Sequence, residues 1–244
     1  MNVENLKVEY NDLKDHYDEV RAINFVNNLT ASNDEKIIEF HFNLLKNKEN
    51  EYLFYEVRGD FYKHGEAGKN FLLKKLDTET DSDLKAEALF ILGGMNNLEP
   101  SEINKIKGTA KEFIQDKNSY KKQYYGIIVL GWIGGKDEIP ILEKELKSNK
   151  NLELRGHAAS ALRQIWFNHP RLTKKILKIY DEVLKNETDD EVNRTIIACI
   201  QDMLRKKFGI KESQYGEISG DVSVAKPKAI KSVTTQRKLT IKKA

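Results

Sequence analysis

The side chains best placed to do chemistry are four acids at alternate positions in DTETDSD, which begins at Asp77. Carboxylates at this spacing suit a calcium loop of EF-hand type, which also needs glycine at its sixth position and glutamate at its twelfth. Counted from Asp77, those positions hold Ser82 and Ala88. We therefore predict a loop between helices, in which Asp81, Ser82 or Asp83 caps the next helix.

A second segment, HGEAGKN at 64–70, shares glycines and a lysine with phosphate-binding loops. It lacks the G-x-x-x-x-G-K-[ST] spacing, and no strand is predicted before it. We expect Gly65 to end one helix and begin the next.

The histidines and the single cysteine offer no obvious metal or nucleophile site. No two histidines lie three or four residues apart and no cysteine is close to them, so a metal would need ligands from distant segments. The five are His16, His41, His64, His157 and His169. We predict packing or capping roles for them, and no metal or cofactor. Cys199 lies on an apolar stripe and is predicted to be a buried thiol. One cysteine allows no internal disulfide, which fits a reducing cytoplasm.

Two tryptophans, Trp132 and Trp166, fall at corresponding helix ends, and Tyr124 and Tyr125 precede the first. Aromatic side chains of this kind can stack on nucleic-acid bases. At the ends of paired helices they more often wedge between neighbouring pairs. We favour packing and keep base stacking as the alternative.

The elements that must position these residues are helices almost throughout. Leu6, Tyr10, Leu13, Tyr17 and Val20 are spaced 4-3-4-3, which predicts one helix face. Asn33 or Asp34 is expected to cap the following helix. Further helices are predicted at about 50–64, 66–77, 83–95, 101–116, 119–134, 137–148, 152–167, 170–186 and 189–208.

The helices repeat in pairs. Corresponding helix-end positions, at intervals of 38, 32 and 38 residues, are Leu92, Leu130, Leu162 and Ile200. Four residues before the first three anchors stand the small residues Ala88, Gly126 and Ala158. A small side chain there lets neighbouring helices approach closely. A helix pair cannot bury its apolar face alone, so stacked pairs are predicted.

The segment YYGIIVLGWIGGKDEIPILEKELKS (124–148) resembles a HEAT repeat of the type noted in phycobiliprotein lyases. Residues 154–166 and 84–95 are similar to the first half of that motif, and 192–204 more loosely. The resemblance implies an all-α solenoid of about five or six antiparallel helix pairs. Such repeats mostly serve as binding surfaces, although lyases and DNA glycosylases of related architecture exist.

The charge is unevenly distributed along the chain. Residues 221–244 hold seven Lys and Arg against Asp221, or +6, so a total of +3 leaves −3 for the first 220 residues. We expect a helical repeat domain over 1–210, then a basic C-terminal tail or short ribbon over 211–244. The β-branched residues of 230–242 allow a strand, an edge ribbon or a disordered tail, of which we favour the tail. A basic tail suits binding to an acidic partner or nucleic acid, folding back on the acidic body, a solubilising end, or strand addition to a partner.

These patterns favour a non-enzymatic, cytoplasmic scaffold that binds another protein, such as a bacterial immunity protein or an adaptor. A nucleic-acid binder or DNA glycosylase-like enzyme is the alternative, and a chromophore lyase is third. By family analogy the second helices carry the contact surface. Its expected outward residues are Lys107, Lys111, Glu143, Lys144, Lys147, Lys174, Lys178 and Asp181. Their mixed charge suits a protein partner better than nucleic acid, and equally suits a plain solvated face. The N-terminus lacks a signal-peptide core, and no stretch approaches the roughly 18 apolar residues of a membrane span.

Overall fold

The chain is all-α in the computed structural model, which describes residues 2–241, with side chains described as far as Gln236. It divides into two compact units, Met1–Thr109 and Ala110–Ala244. The predicted all-α class is confirmed.

The first unit is built from six helices and the start of a seventh. In chain order they are α1 (Val3–Asp15), α2 (Glu19–Thr30), α3 (Glu35–Leu44), α4 (Glu51–Gly59), α5 (Gly65–Thr78), α6 (Ser82–Gly93) and α7 (Pro100–Gln115). A 3₁₀ turn at Phe61–His64 joins α4 to α5. The boundary between the units falls within α7.

The predicted single helix face through Val20 is in fact two helices. The Asp18 side chain accepts a hydrogen bond from the backbone N–H of Arg21 at 2.8 Å and starts α2. Val20 is therefore on a new helix, and it is 67% exposed. The 4-3-4-3 spacing of apolar residues predicts one helix across this break because apolar spacing takes no account of the capping aspartate.

Short polar side chains start most helices of this unit. Asn2, Asp34, Asn50 and Asp81 each accept a hydrogen bond from a backbone N–H in the first turn of the following helix. Such caps satisfy donors that have no partner within the helix. They set the phase of each helix, and hence the side chains that face the core.

The second unit continues with the end of α7 and six further helices. They are α8 (Tyr120–Ile133), α9 (Ile139–Ser148), α10 (Leu152–Asn168), α11 (Thr173–Asn186), α12 (Asp190–Leu204) and α13 (Val222–Ile241). A 3₁₀ turn at Pro170–Leu172 precedes α11. Between α12 and α13, β1 (Lys211–Glu212) and β2 (Ile218–Ser219) form a small antiparallel ribbon.

Helices of the second unit pack in two rows. Within the first row α10 lies between α8 and α12, and α11 contacts both α9 and α13 in the second row. The rows also touch, since α10 packs against α9 and α11, and α12 packs against α13. Each helix pair thus buries its apolar side against the next pair.

Glycines on α8 permit two of these close approaches. A Cβ on Gly126 would lie 2.6 Å from the Ala110 backbone oxygen of α7, and one on Gly131 would lie 2.9 Å from Cα of Ala161 on α10. Real Cβ atoms do not come so near, so any larger residue would push the helices apart. This is the role that the helix-pair pattern predicted for the small residue at 126.

The expected strand or tail near the C-terminus is a helix instead. Val222, Ala225, Ala229 and Val233 are buried at spacings of 3, 4 and 4, and α13 packs against α11 and α12. The β-branched residues misled because burial on one helical face outweighs their modest intrinsic preference for strands. Residues 242–244 lie outside the described residues. A small ribbon of two two-residue strands lies before α13, within 211–219, and not in the segment 230–242 where an edge ribbon was one alternative.

None of the helices within residues 2–241 is both long enough and apolar enough to cross a membrane.

Candidate functional site

The residues predicted to line a contact surface lie on three helices. Lys107 and Lys111 lie on α7, and Glu143, Lys144 and Lys147 lie on α9. Lys174, Lys178 and Asp181 lie on α11. Lys144 and Lys174 are exposed, whereas Lys107 and Lys111 are half-buried.

Charged side chains on the neighbouring helices α9 and α11 form ion pairs with one another. Lys147 lies 2.5 Å from Glu143 on its own helix and 3.0 Å from Glu182 on α11. Lys178 lies 3.7 Å from the same Glu182. This arrangement joins two helices through surface ion pairs, each of which contributes little stability.

Lys111 has a structural partner as well. Its amine lies 2.9 Å from the carboxylate of Glu138, which is buried and also accepts a hydrogen bond from the Gly135 backbone N–H at 2.9 Å. The pair fixes the turn that leads into α9. Lys111 therefore helps to hold the turn after Gly134 in place.

The expectation that Asp181 points outward is wrong. Asp181 is 1% exposed, and Lys185 lies 2.7 Å from its carboxylate. Helix α11 contacts α9, α10, α12 and α13, so less of its surface faces solvent than in an isolated helix pair. The sequence suggested a solvated face because α13 was not predicted.

A different exposed surface lies on the first unit. It consists of five side chains on or next to α2 and α4, which we call the tyrosine face: Tyr17, Val20, Ile23, Tyr52 and Tyr55. Tyr52 is 71% exposed and Tyr55 is 50% exposed. The opposite sides of the same helices are buried in the core, through Phe25 on α2 and Leu53 on α4 among others. The two helices therefore present large apolar and aromatic side chains to solvent.

Helices α2 and α4 run side by side in the same direction. At their starts, the rings of Tyr17 and Tyr52 lie 5.7 Å apart between centroids. Beyond the end of α4, Nζ of Lys63 in the 3₁₀ turn lies 3.4 Å from Oδ1 of Asn27 near the end of α2. The exposed side chains of α2 and α4 therefore lie on neighbouring helices.

Acidic residues surround the tyrosine face. The segments 12–27 and 49–63 hold eight acids and four bases. The acids are Asp12, Asp15, Asp18, Glu19, Glu49, Glu51, Glu56 and Asp60. The bases are Lys14, Arg21, Arg58 and Lys63, and each lies within 4 Å of a carboxylate of the first unit. The surface is thus negative, with its few cations already paired.

The acids act directly on the tyrosines. Burial, followed by the negative charges of Glu56, Glu19 and Asp18, raises the pKa of Tyr17. The Tyr55 hydroxyl donates a hydrogen bond to Glu51 at 3.1 Å. Tyrosines that carry both a ring and a polar end are enriched in protein interfaces.

One arginine of α4 lies beside the tyrosine face. The Arg58 guanidinium lies 5.1 Å from the centre of the Tyr55 ring and 5.2 Å from that of Phe54. It lies 3.9 Å from the buried carboxylate of Glu87. An arginine held between aromatic rings and a carboxylate is stabilised by both.

The acid-rich and glycine-rich segments have structural roles. Asp81 accepts hydrogen bonds from the backbone N–H groups of Asp83 and Leu84 at 2.9 and 3.2 Å, which confirms the capping prediction for DTETDSD. Gly65 has φ of +58° and separates the 3₁₀ turn from α5, as predicted. Within the described residues, no group of three His, Cys, Asp or Glu side chains is placed to hold a metal ion.

Two histidines meet in the core of the first unit, which the sequence did not predict. His41 Nδ1 lies 2.9 Å from His64 Nε2, His41 Nε2 lies 2.7 Å from the Val57 carbonyl oxygen, and His64 Nδ1 lies 3.1 Å from that of Ser32. Burial lowers the pKa of His41 to about 3 and also lowers that of His64. Their separation of 23 residues hid the contact from any search for local spacing.

The single thiol is buried, as predicted. Burial raises the pKa of Cys199 to about 11, so the thiol is protonated at neutral pH. A protonated and inaccessible thiol is a poor nucleophile.

The tryptophans are half-buried and engaged at helix ends. Trp166 Nε1 donates a hydrogen bond to Thr173 Oγ1 at 2.9 Å, and the Trp132 carbonyl oxygen accepts one from Asn168 at 2.9 Å. Both contacts cross from one helix to the next or to its connecting turn. The side-chain contact of Trp166 supports the packing interpretation for that residue.

A cleft of about 670 Å³ in the second unit is lined by polar residues between α8 and α9. Lys117 Nζ lies 2.9 Å from both carboxylate oxygens of Glu145, which also accept a hydrogen bond from Asn149 at 2.7 Å. These groups hold the connection between α7 and α8 against the end of α9. Their mutual pairing leaves the cleft without a chemistry that identifies a ligand.

The tyrosine face had a signal in the sequence. In EYLFYEV, two buried residues stand between Tyr52 and Tyr55, and the tyrosines share a helix face opposite to Leu53 and Val57. Tyrosines on the acidic side of a helix are the pattern that indicates this surface.

No protein-family model matches this chain, and no curated protein matches it.

Proposed function

We propose that this chain is a non-enzymatic protein-binding scaffold, built from stacked helix pairs of HEAT-like type, and that its tyrosine face is the contact surface. One observation carries the proposal: α2 and α4 together expose Tyr52, Tyr55, Val20 and Ile23 side by side. Contiguous exposed aromatic and aliphatic side chains usually mark an interaction site. Tyrosine is also one of the residues that contribute most to binding energy.

The second helices of the pairs are less suited to this task. Their charged side chains Lys111, Lys147 and Lys178 pair with acids of the same chain, and Asp181 is buried. A partner would have to replace these contacts before gaining its own. We therefore move the proposed contact surface from α7, α9 and α11 to α2 and α4.

A scaffold of this kind suits an adaptor or a dedicated inhibitor, such as a bacterial immunity protein, working in the cytoplasm. The buried thiol is compatible with a reducing compartment. A rigid surface held by a helical core needs no cofactor for such a role.

The test is photo-crosslinking from the face itself. A photo-reactive phenylalanine analogue replaces Tyr55 in the cells that make the protein, and in a matched control it replaces Tyr215, which is 84% exposed in the second unit. We expect a single protein adduct in near-stoichiometric yield from position 55 alone. Identical adducts from both positions, or nucleic acid recovered alone, would overturn the proposal.

Substitution gives the second measurement. Tyr52→Ser with Tyr55→Ser should reduce recovery of that partner by about a hundredfold, because two interface tyrosines each contribute on the order of 1–2 kcal/mol. Tyr215→Ser should leave it unchanged. Both variants should remain folded, with only a small fall in melting temperature for the double variant, because Tyr52 and Tyr55 make surface contacts with Tyr17, Glu51 and Arg58 and lie outside the core.

A further inference from the structure

We propose that the occupant of the tyrosine face is a segment of another protein that is rich in arginine and lysine and carries apolar side chains between them. This inference rests on the function proposed above and adds the chemistry of the partner. It uses the charge and ring geometry around α2 and α4.

Charge is the first argument. Segments 12–27 and 49–63 hold twice as many acids as bases, and those bases already have acidic partners at short range. Lys48, whose Nζ lies 5.1 Å from the centre of the Phe54 ring, adds a fifth base, so acids exceed bases by eight to five and an approaching cation meets a net negative charge. Complementary charge of this kind raises the association rate and selects between partners.

The geometry of Arg58 is the second argument. Its guanidinium stacks on the Tyr55 ring, with its central carbon 5.1 Å from the ring centre. Tyr52 lies one turn earlier on the same helix and is more exposed. A guanidinium from a partner can stack on the exposed Tyr52 ring, with Glu56 one turn further along the helix.

The apolar residues of the tyrosine face indicate which side chains the partner carries between its cations. Val20 and Ile23 are one turn apart on α2, and they are 67% and 41% exposed. Burying aliphatic surface needs an apolar side chain opposite. A purely polar basic tail would leave this part of the face uncovered, so the partner carries both kinds of side chain.

The same charges disfavour two other occupants. Nucleic-acid phosphates and anionic lipid headgroups are negative, and both bind through basic residues. Acids outnumber bases by eight to five here. A second copy of this chain could offer Lys228 and Lys231 of α13, which are exposed, and this is treated as an outcome of the test.

The experiment uses the crosslinker at position 55 in the full chain, combined with charge variants. Glu19, Glu51 and Glu56 are changed together to Gln, and in a second protein to Lys. In the matched control, Glu191, Glu217 and Asp190 of the second unit, all exposed, are changed to Gln, Gln and Asn. Adduct yield is measured at 50 and 500 mM salt, and the crosslinked peptide is sequenced by mass spectrometry.

We expect about a tenfold loss of adduct for the Gln variant at low salt, and no detectable adduct for the Lys variant, with the control unchanged. The crosslinked partner peptide should contain several Lys or Arg residues. High salt should reduce the yield with the wild-type face and have little effect on the Gln variant.

Failure of this inference differs from failure of the proposed function. A protein adduct that ignores salt and charge variants, or that maps to an acidic or neutral peptide, overturns the basic partner and leaves the docking face. Absence of any specific adduct overturns both. An adduct between two copies, abolished by Lys228→Glu with Lys231→Glu, would identify self-association and overturn the foreign partner.

Discussion

At the residue scale, the missing Cβ atom of Gly126 determines how closely α8 can approach α7. A Cβ there would meet both the Ala110 carbonyl oxygen and the Ile114 side chain at less than 3 Å. The backbone of α8 can approach α7 only because that atom is absent. Gly108, also helical, has open space around its missing Cβ and provides a matched comparison.

We predict opposite effects for alanine at these two glycines. Gly126→Ala should destabilise by about 1–2 kcal/mol, because the cost of overpacking exceeds the gain in helix propensity. Gly108→Ala should stabilise by roughly 0.5–1 kcal/mol through that gain alone. Urea unfolding followed by circular dichroism measures both. Equal changes for the two variants would contradict the close approach.

The histidine pair has a chemical consequence at low pH. The pair makes three ring-nitrogen contacts: one to the Val57 carbonyl oxygen, one to the Ser32 carbonyl oxygen and one between the two rings. A neutral pair has only two ring protons, so one of the three contacts is without a proton. Filling it would require one histidine to become charged. Burial nevertheless disfavours that charge and lowers the pKa of both rings.

We predict that the protein loses stability as pH falls below about 6.5. Folded-state pKa values below the unfolded value mean that the unfolded chain binds more protons, so stability present at neutral pH is lost on acidification. Each affected histidine contributes a slope of up to about 1.4 kcal/mol per pH unit. Urea unfolding between pH 7 and pH 5 measures this dependence of the free energy of unfolding on pH.

The controls for this prediction are glutamine variants. A protein with His41→Gln and His64→Gln should be less stable at pH 7 and show a flatter pH dependence. His16→Gln should retain the wild-type slope, because that side chain is 77% exposed. An unchanged slope in the double variant would assign the effect to other groups.

At the element scale, α13 turns a presumed tail into part of the core. Ala225, Ala229 and Val233 are fully buried, and Lys226 Nζ donates a hydrogen bond to the Glu187 carbonyl oxygen at 2.7 Å. Deleting residues 221–244 would therefore expose apolar surface of α11 and α12 as well as removing charge. Charge variants of exposed lysines therefore test the role of the positive charge of α13 without removing its buried side chains.

We predict that Ala229→Asp destabilises the protein by at least 3 kcal/mol, because it buries an unpaired charge between helices. Lys228→Asp, one residue away and exposed, should change stability by less than about 0.5 kcal/mol. Thermal unfolding of the two variants gives the comparison. Similar melting temperatures would mean that α13 does not pack as described.

Local signals placed most helix boundaries well. Capping residues and the loops around Gly65 and Gly134 predicted helices such as α8, α9 and α10 to within two residues. These features act over a few residues and are therefore legible in the sequence. The break before α2 was missed because Asp18 lies inside an apolar pattern that continues across it.

At the scale of the whole molecule, charge is separated along the chain. The acidic surroundings of the tyrosine face belong to the first unit, whereas the basic stretch 221–244 belongs to the second. A total of +3 conceals this separation. Each unit can therefore favour a different kind of partner, and salt should weaken both the attraction of the first unit for cationic probes and that of the second unit for anionic probes.

The candidate site was only partly predictable. Family analogy pointed to α7, α9 and α11, but whether Lys147 is available depends on Glu182, 35 residues away. Exposure of Tyr52 and Tyr55 depends on which side of α4 the core occupies. Both are decided by contacts between segments that are distant in the sequence.

The sequence by itself determined the helical class, most helix ends, the charge separation and the need for glycine where helices meet. These follow from hydrogen-bond capping, apolar periodicity and side-chain size, which act between near neighbours. Only the tertiary structure decided that α13 is packed, that Asp181 is buried, that His41 meets His64, and that α2 and α4 expose one tyrosine face. Those outcomes depend on burial, and burial of a side chain is set by every segment that packs around it.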